Sequence, residues 1–147
     1  MNDIKDLQLG KAGEYLVCAD LLLQGYIAYL TEQGLHYDLV VDWSGRLLRI
    51  QVKTTRTYRP VPQRIKHTPA YLFNVRRCGK GGRQRYKRDD LDIMALVALE
   101  EKIIGYIPIA QIKTTMVFRT RKYNYNNNRS GVYLEDFTFE KALDGIR

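Results

Sequence analysis

Four polar residues are spaced so that a helix and a β-hairpin could bring them together. Glu14 lies in a helix-like segment, Asp38 precedes an apolar strand, and Gln51 and Lys53 lie two residues apart on the following strand. Carboxylate and amide oxygens are ligands that Mg²⁺ and Mn²⁺ prefer. A metal ion and a lysine together suit phosphodiester hydrolysis, which needs an activated water and positive charge where negative charge develops.

Two strands joined by a tight turn are predicted over residues 37–54. Both halves are rich in β-branched and apolar residues, and Ser44-Gly45 between them is typical of a two-residue hairpin turn. Such a turn pairs Trp43 with Arg46. It thereby fixes the register of the whole hairpin.

The predicted register places Asp38 directly opposite Gln51, and cross-strand partners share one face of a sheet. Lys53 shares that face because side chains alternate along a strand. The opposite face points to a core and carries Leu39, Val41, Ile50 and Val52.

A helix is predicted over Leu7 to Gln24, with Gly25 as its stop signal. Its sequence is apolar on nearly all sides, which predicts a buried helix. Glu14 lies within it, and a buried carboxylate is costly unless it meets a cation or a metal. The residues alone leave both interpretations open: an ion pair between Glu14 and Lys53, or a metal site.

The predicted elements indicate an α/β fold with a mixed sheet flanked by helices. Residues 92–99 form an apolar run after the initial Asp92 and suit a buried central strand. Other strands are predicted over 26–30, 70–75 and 102–107, a helical turn over 109–112, and a terminal helix over 137–146. Basic segments predicted as loops or hairpins occupy 56–68, 76–88 and 119–131.

Length and composition favour one intracellular domain over residues 1–147. Two cysteines do not make a disulfide framework, so a reduced, cytoplasmic protein is expected. The N-terminus lacks the basic and apolar segments of a signal peptide. The apolar runs are too short to span a membrane, so no membrane partner is expected.

Positive charge is concentrated in two stretches that lack acids. The net charge is +8, and no Asp or Glu occurs from Trp43 to Arg88, where 14 of the 24 Lys and Arg residues lie. A second acid-free stretch runs from Lys102 to Leu134. Such segregation favours binding of a polyanion, although a solvated basic surface is the alternative.

Double-stranded DNA is the polyanion that these segments suit. Arg and Lys reach phosphates and guanine edges, while Asn and Gln suit adenine. The candidate DNA contacts are Arg56, Arg59, Arg64, Lys66, Arg76, Arg77, Lys80, Arg83, Gln84, Arg85, Lys87, Arg88, Arg119, Arg121, Lys122 and Asn124.

Three short motifs carry a resemblance to a known enzyme family. They are Gly13-Glu14, Tyr37-Asp38-Leu39-Val40-Val41 and Ile50-Gln51-Val52-Lys53-Thr54. Over residues 8–112 the chain resembles the PD-(D/E)XK nuclease superfamily, whose core is restriction-endonuclease-like. It is similar to the branch that includes a cyanobacterial group I intron-encoded homing endonuclease. That branch also shows an Asp-x-Asp strand like Asp90-Leu91-Asp92 and a Tyr-Ile-Pro like Tyr106-Ile107-Pro108.

Two positions depart from the general pattern of the superfamily. Tyr37 stands where the pattern has proline, and Gln51 stands where it has an acid. The second change removes one negative ligand, although an amide oxygen still coordinates a hard cation.

The resemblance implies a catalytic set of Glu14, Asp38, Gln51 and Lys53. Metal would be held by Asp38, Gln51, the Val52 carbonyl and Glu14. The implied ion is Mg²⁺, with Mn²⁺ as a substitute, and Lys53 would act on the water nucleophile.

The function that follows is a metal-dependent, site-specific double-stranded DNA endonuclease of homing type. A Holliday-junction resolvase, a restriction-type nuclease and a non-catalytic DNA-binding module remain alternatives. One site cuts one strand, so cutting a duplex predicts a homo-oligomer, either a dimer or a tetramer.

Overall fold

The computed structural model describes residues 3–58, 70–75, 77–79, 82–84, 86–123 and 132–146. Its helices are α1 (Asp6–Leu23) and α2 (Phe139–Asp144). Its strands are β1 (Ile27–Leu30), β2 (Leu39–Trp43), β3 (Arg46–Thr55), β4 (Tyr71–Asn74), β5 (Arg77–Gly79), β6 (Gly82–Gln84), β7 (Ile93–Ala98), β8 (Ile103–Pro108) and β9 (Thr115–Phe118). Short 3₁₀ turns span Ile109–Gln111, Arg121–Tyr123 and Leu134–Asp136.

The central sheet has five strands in the order β1-β2-β3-β7-β8. Strands β3 and β7 are parallel, and the other neighbours are antiparallel. The mixed sheet predicted from sequence is therefore confirmed. All six residues of β7 are buried because both faces of this strand are covered, as its unbroken apolar sequence predicts.

Different layers cover the two faces of the sheet. Both helices pack on one face, where Val17 and Leu21 of α1 join Phe139 of α2 in a core. The other face is covered by a two-stranded sheet of β4 and β9, through residues such as Phe73 and Phe118. Strand β9 was not predicted because three of its four side chains are exposed or only partly buried and its pairing partner β4 is distant in sequence.

Helix α1 lies in the outer layer and is buried along one side only. Its buried residues are Gly13, Val17 and Leu21, at a spacing of one helical turn. Tyr15 is 62% exposed and Leu23 is 88% exposed. The prediction of a helix buried all round was wrong, because a surface helix needs only one apolar stripe to pack. No helix in the described ranges has the length and apolarity needed to cross a membrane.

The β2–β3 hairpin has the register predicted from its turn. Trp43 pairs with Arg46 and Leu39 pairs with Ile50. Ser44 and Gly45 have φ values of 52° and 84°, which is the positive range that a tight hairpin turn requires. Burial alternates along the middle of β3, so its polar side chains face away from the helices.

Candidate active site

Asp38 is fixed to β3 by two hydrogen bonds. Its backbone N–H donates to the Ile50 carbonyl at 2.8 Å. Its carboxylate Oδ2 accepts the backbone N–H of Val52 at 2.9 Å. Because the carboxylate itself is tied to the neighbouring strand, the position of Asp38 follows the hairpin register and not the conformation of the preceding loop.

Gly13 lets α1 approach β3 closely. A Cβ atom at this position would lie 1.9 Å from Thr54 Oγ1, so a larger residue would push the helix from the strand. Glu14 follows Gly13 and lines one cleft together with Asp38, Lys11 and residues 31–34. The two carboxylates predicted from sequence are therefore brought together.

Burial and charge perturb both carboxylates. Burial raises the pKa of Asp38, while the Val52 N–H, Lys53 and Lys11 lower it. Burial and then the negative charge of Asp38 raise the pKa of Glu14, and Lys11 lowers it. The cleft therefore concentrates negative charge that the protein compensates only in part.

Lys53 and Gln51 lie on the polar side of β3, as the register predicts. Lys53 Nζ lies 5.4 Å from the centroid of the Tyr86 ring, within the range of a cation–π contact. Lys53 lines a second cleft with Leu9 of α1. The side-chain amide nitrogen of Gln51 donates to the Val52 carbonyl at 3.5 Å, which is a long contact. The amide oxygen of Gln51 takes no part in it.

The two carboxylates that line the cleft, Glu14 and Asp38, suit a hard divalent cation. In the described part of the chain no three His, Cys, Asp or Glu side chains form a metal-binding cluster. A site at the edge of this cleft would combine Glu14 and Asp38 with the neutral oxygens of Gln51 and Val52, which adjoin Asp38 on β3 but do not line the cleft. Oxygen-only donors suit Mg²⁺ or Mn²⁺ better than zinc, and a divalent ion would relieve the excess negative charge.

Apart from Arg119, the predicted DNA contacts fall into three groups. Exposed basic side chains are Arg56, Lys87, Arg88, Arg121 and Lys122. The backbone of Arg77, Arg83 and Gln84 lies in the β5–β6 hairpin, which agrees with the loop or hairpin predicted for residues 76–88. The remaining positions lie outside the described residues: Arg59, Arg64, Lys66, Arg76, Lys80, Arg85 and Asn124.

The structure corrects the predicted DNA contact of Arg119. This residue is only 5% exposed, and its backbone forms hydrogen bonds with the backbone of Val132 and Leu134, which hold it inside the protein. The prediction of a surface contact with DNA was wrong for this residue. Arg119 lies among other basic residues, and no local pattern indicated that its side chain is buried.

Two residues that contact the site were missed by sequence reasoning. Lys11 lies one helical turn before Glu14, a spacing that could have indicated their ion pair. Tyr86 carries no such signal because it reaches Lys53 from a segment that is distant in sequence.

The fold of this chain is shared with a solved protein structure. It resembles the solved structure of a bacterial homing endonuclease, I-Ssp6803I, with a TM-score of 0.65. The match covers 86% of each chain at 19% sequence identity. This likeness shows the shared fold.

Sequence comparison identifies the family. The chain is 34% identical over 110 residues to Protein 5.3 of Escherichia phage T7. This match covers 73% of this chain and 85% of the phage protein. The profile described as PD-(D/E)XK endonuclease matches residues 4–140. The protein belongs to the PD-(D/E)XK endonuclease family, and the resemblance found in its motifs is confirmed.

Proposed function

We propose that this protein is a divalent-metal-dependent, site-specific endonuclease of homing type that cuts double-stranded DNA. The observation that carries the proposal is the carboxylate of Asp38, bound to the Val52 N–H at 2.9 Å and sharing one cleft with Glu14. Family membership and the fold of the homing endonuclease support the same function.

Asp38, Glu14, Gln51 and the Val52 carbonyl would hold the metal. When bound, Mg²⁺ or Mn²⁺ would supply Lewis acidity and a lowered pKa for a coordinated water. The protein contributes a fixed first ligand, since Asp38 is held by β3. It also contributes partial burial, which strengthens every charge interaction in the cleft.

Lys53 is the residue that we assign to the water nucleophile and the developing negative charge. It lies on the same face of β3 as Gln51, and its charge acts on Asp38. Its contact with the Tyr86 ring limits the positions of a flexible side chain. A lysine so held adds positive charge without the cost of ordering it during the reaction.

The exposed basic residues would bring the DNA backbone to this cleft. Arg56 directly follows β3, and Lys87 and Arg88 follow Tyr86, which contacts Lys53. These positions continue from the elements that carry the site, so phosphate contacts there would orient the duplex over it.

A dimer or tetramer forms part of the proposal because one site cuts one strand. The solvent side of α1 supports self-association, since Tyr15, Leu22 and Leu23 are all exposed. Light scattering after size-exclusion chromatography tests this point. A monomer at all concentrations, with DNA bound and without it, would contradict it.

A substrate panel tests the proposed function. Linear duplexes, four-way junctions and single strands are incubated with Mg²⁺ or Mn²⁺, and a plasmid library of genomic fragments supplies long candidate sites. We expect cutting of duplex at few long sites. Cutting only at branch points would instead identify a resolvase. Cutting at many short sites would identify a restriction-type enzyme.

A non-catalytic DNA-binding module is the second candidate, favoured by Gln51 in place of an acid. It predicts that the wild-type protein binds every duplex in the panel and cuts none, with either metal. That result would overturn catalysis while leaving the basic surface intact.

A further inference from the structure

Lys11 reaches the carboxylates of the candidate site from α1. Its Nζ lies 3.4 Å from Glu14 Oε1, and it lines the same cleft as Glu14 and Asp38. The Glu14 side chain is 15% exposed and that of Lys11 is 36% exposed. The lysine therefore covers the solvent side of a more buried carboxylate.

The charge of Lys11 acts on both carboxylates. It lowers the pKa of Glu14 and also that of Asp38, against the effect of burial. A cation that stabilises two ionised carboxylates does part of what a divalent ion does at the same place. The lysine and the ion must therefore repel each other when both are present.

The lysine side chain can relieve this repulsion by moving. Its flexible four-carbon chain ends in a compact ammonium, and its partial exposure leaves room for it to turn outward. A DNA phosphate at the cleft would offer that ammonium a new negative partner.

We propose that Lys11 is a second active-site lysine, neutralising Glu14 and Asp38 in the metal-free protein and binding a DNA phosphate in the metal-bound enzyme. This inference rests on the proposed function, because it needs the cleft to hold a divalent ion. The competing explanation is an ordinary helical ion pair at i and i+3, which contributes weakly to helix stability and has no role in metal or DNA binding.

The two explanations differ in the sign of the effect on metal affinity. In the Lys11→Met protein without DNA, we expect Mn²⁺ to bind about two- to tenfold more tightly, because one repelling charge has been removed. Titration followed by the EPR signal of free Mn²⁺ measures this. Lys102→Met, an exposed lysine in the β7–β8 turn, is the matched control and should leave affinity unchanged.

Cleavage is expected to change in the opposite direction. With saturating metal, Lys11→Met should raise the KM for DNA and lower kcat/KM by about tenfold, since a charged phosphate contact is lost. Lys11→Arg should restore most of the loss. A change that only loosens α1 would weaken metal binding and cleavage together.

The outcomes separate this inference from the proposed function. If the wild-type protein binds no Mn²⁺ and cuts no DNA, the proposed function fails. If the wild type binds Mn²⁺ and cuts DNA but Lys11→Met binds the ion with equal or lower affinity, the role of Lys11 is overturned and the nuclease stands.

Discussion

Two stretches of this chain carry opposite charges and meet at the β2–β3 hairpin. No Lys or Arg occurs from Ala12 to Gly45, and no Asp or Glu occurs from Trp43 to Arg88. The first stretch supplies Glu14 and Asp38 to the candidate site. The second stretch supplies Gln51, the Val52 carbonyl and Lys53.

The two stretches are suited to two tasks, cation binding and phosphate binding, that one surface could not perform well. A carboxylate pair attracts a divalent cation but repels phosphate, whereas a basic surface attracts phosphate and repels the cation. Each task has its own stretch, and the two stretches meet at the hairpin and where α1 packs against β3. The predicted effects of substitution should therefore differ in kind between the two stretches.

The largest effect is expected for the basic stretch at Lys53. Lys53→Ala should reduce the single-turnover rate of cleavage by about a thousandfold or more, because positive charge is lost where negative charge develops. DNA affinity, measured by fluorescence anisotropy, should stay within about twofold, because many other phosphate contacts remain. Lys102→Ala serves as the control. An active Lys53→Ala enzyme would remove this residue from the mechanism.

A large effect of a different kind is expected for the acidic stretch at Asp38. Asp38→Asn should weaken Mn²⁺ binding and reduce cleavage by about a hundredfold or more, because a charged ligand is lost. Without metal, the thermal unfolding midpoint of the Asp38→Asn protein should equal or exceed that of the wild type. Burial raises the pKa of Asp38, so the ionised carboxylate destabilises the fold at neutral pH.

Asp42→Asn is the control for that prediction, since Asp42 is an exposed carboxylate on β2, the strand that Asp38 directly precedes. It should retain metal binding and cleavage. If both variants lose activity equally, the total negative charge of the stretch would explain the result, and the pair of Glu14 and Asp38 would have no special role.

The contact that joins the two stretches is tested at Gly13. Alanine usually stabilises a helix by up to about 1 kcal/mol relative to glycine. Gly13→Ala should instead destabilise the protein by about 1–3 kcal/mol, because its Cβ would collide with Thr54. Thr54→Ala in the same chain should recover part of the loss, as thermal unfolding would show.

Gly10→Ala on the same helix is the matched control. Nothing lies within 4 Å of a Cβ there, so this change should stabilise the protein. Equal stabilisation by both alanines would contradict the close approach of α1 to β3.

The smallest effect is expected for a single exposed residue of the basic stretch. DNA affinity should fall steeply with salt, and Arg88→Ala should lower the slope of log affinity against log salt by about 1. Lys141→Ala, an exposed change in α2 outside both basic stretches, should leave the slope unchanged. A flat salt titration of the wild type would argue against a basic DNA-binding surface.

Local signals predicted the parts of the site that adjoin each other in sequence. Ser44-Gly45 fixed the hairpin, and the hairpin fixed Asp38 relative to Val52, because a two-residue turn permits one pairing. Both ends of α1 were also predicted to within one residue, and the C-terminal end was indicated by Gly25. Its exposed apolar side was not, because burial depends on which other elements are present to cover a helix.

The amino-acid sequence by itself determined the charged stretches, the hairpin register and the motifs of the family, because each depends on neighbours in the chain. Only the tertiary structure decided that Lys11 of α1 shares a cleft with Asp38, that Tyr86 reaches Lys53 and that Arg119 is buried. These contacts join segments through packing, and packing is set by the combined shapes of elements that no local pattern encodes.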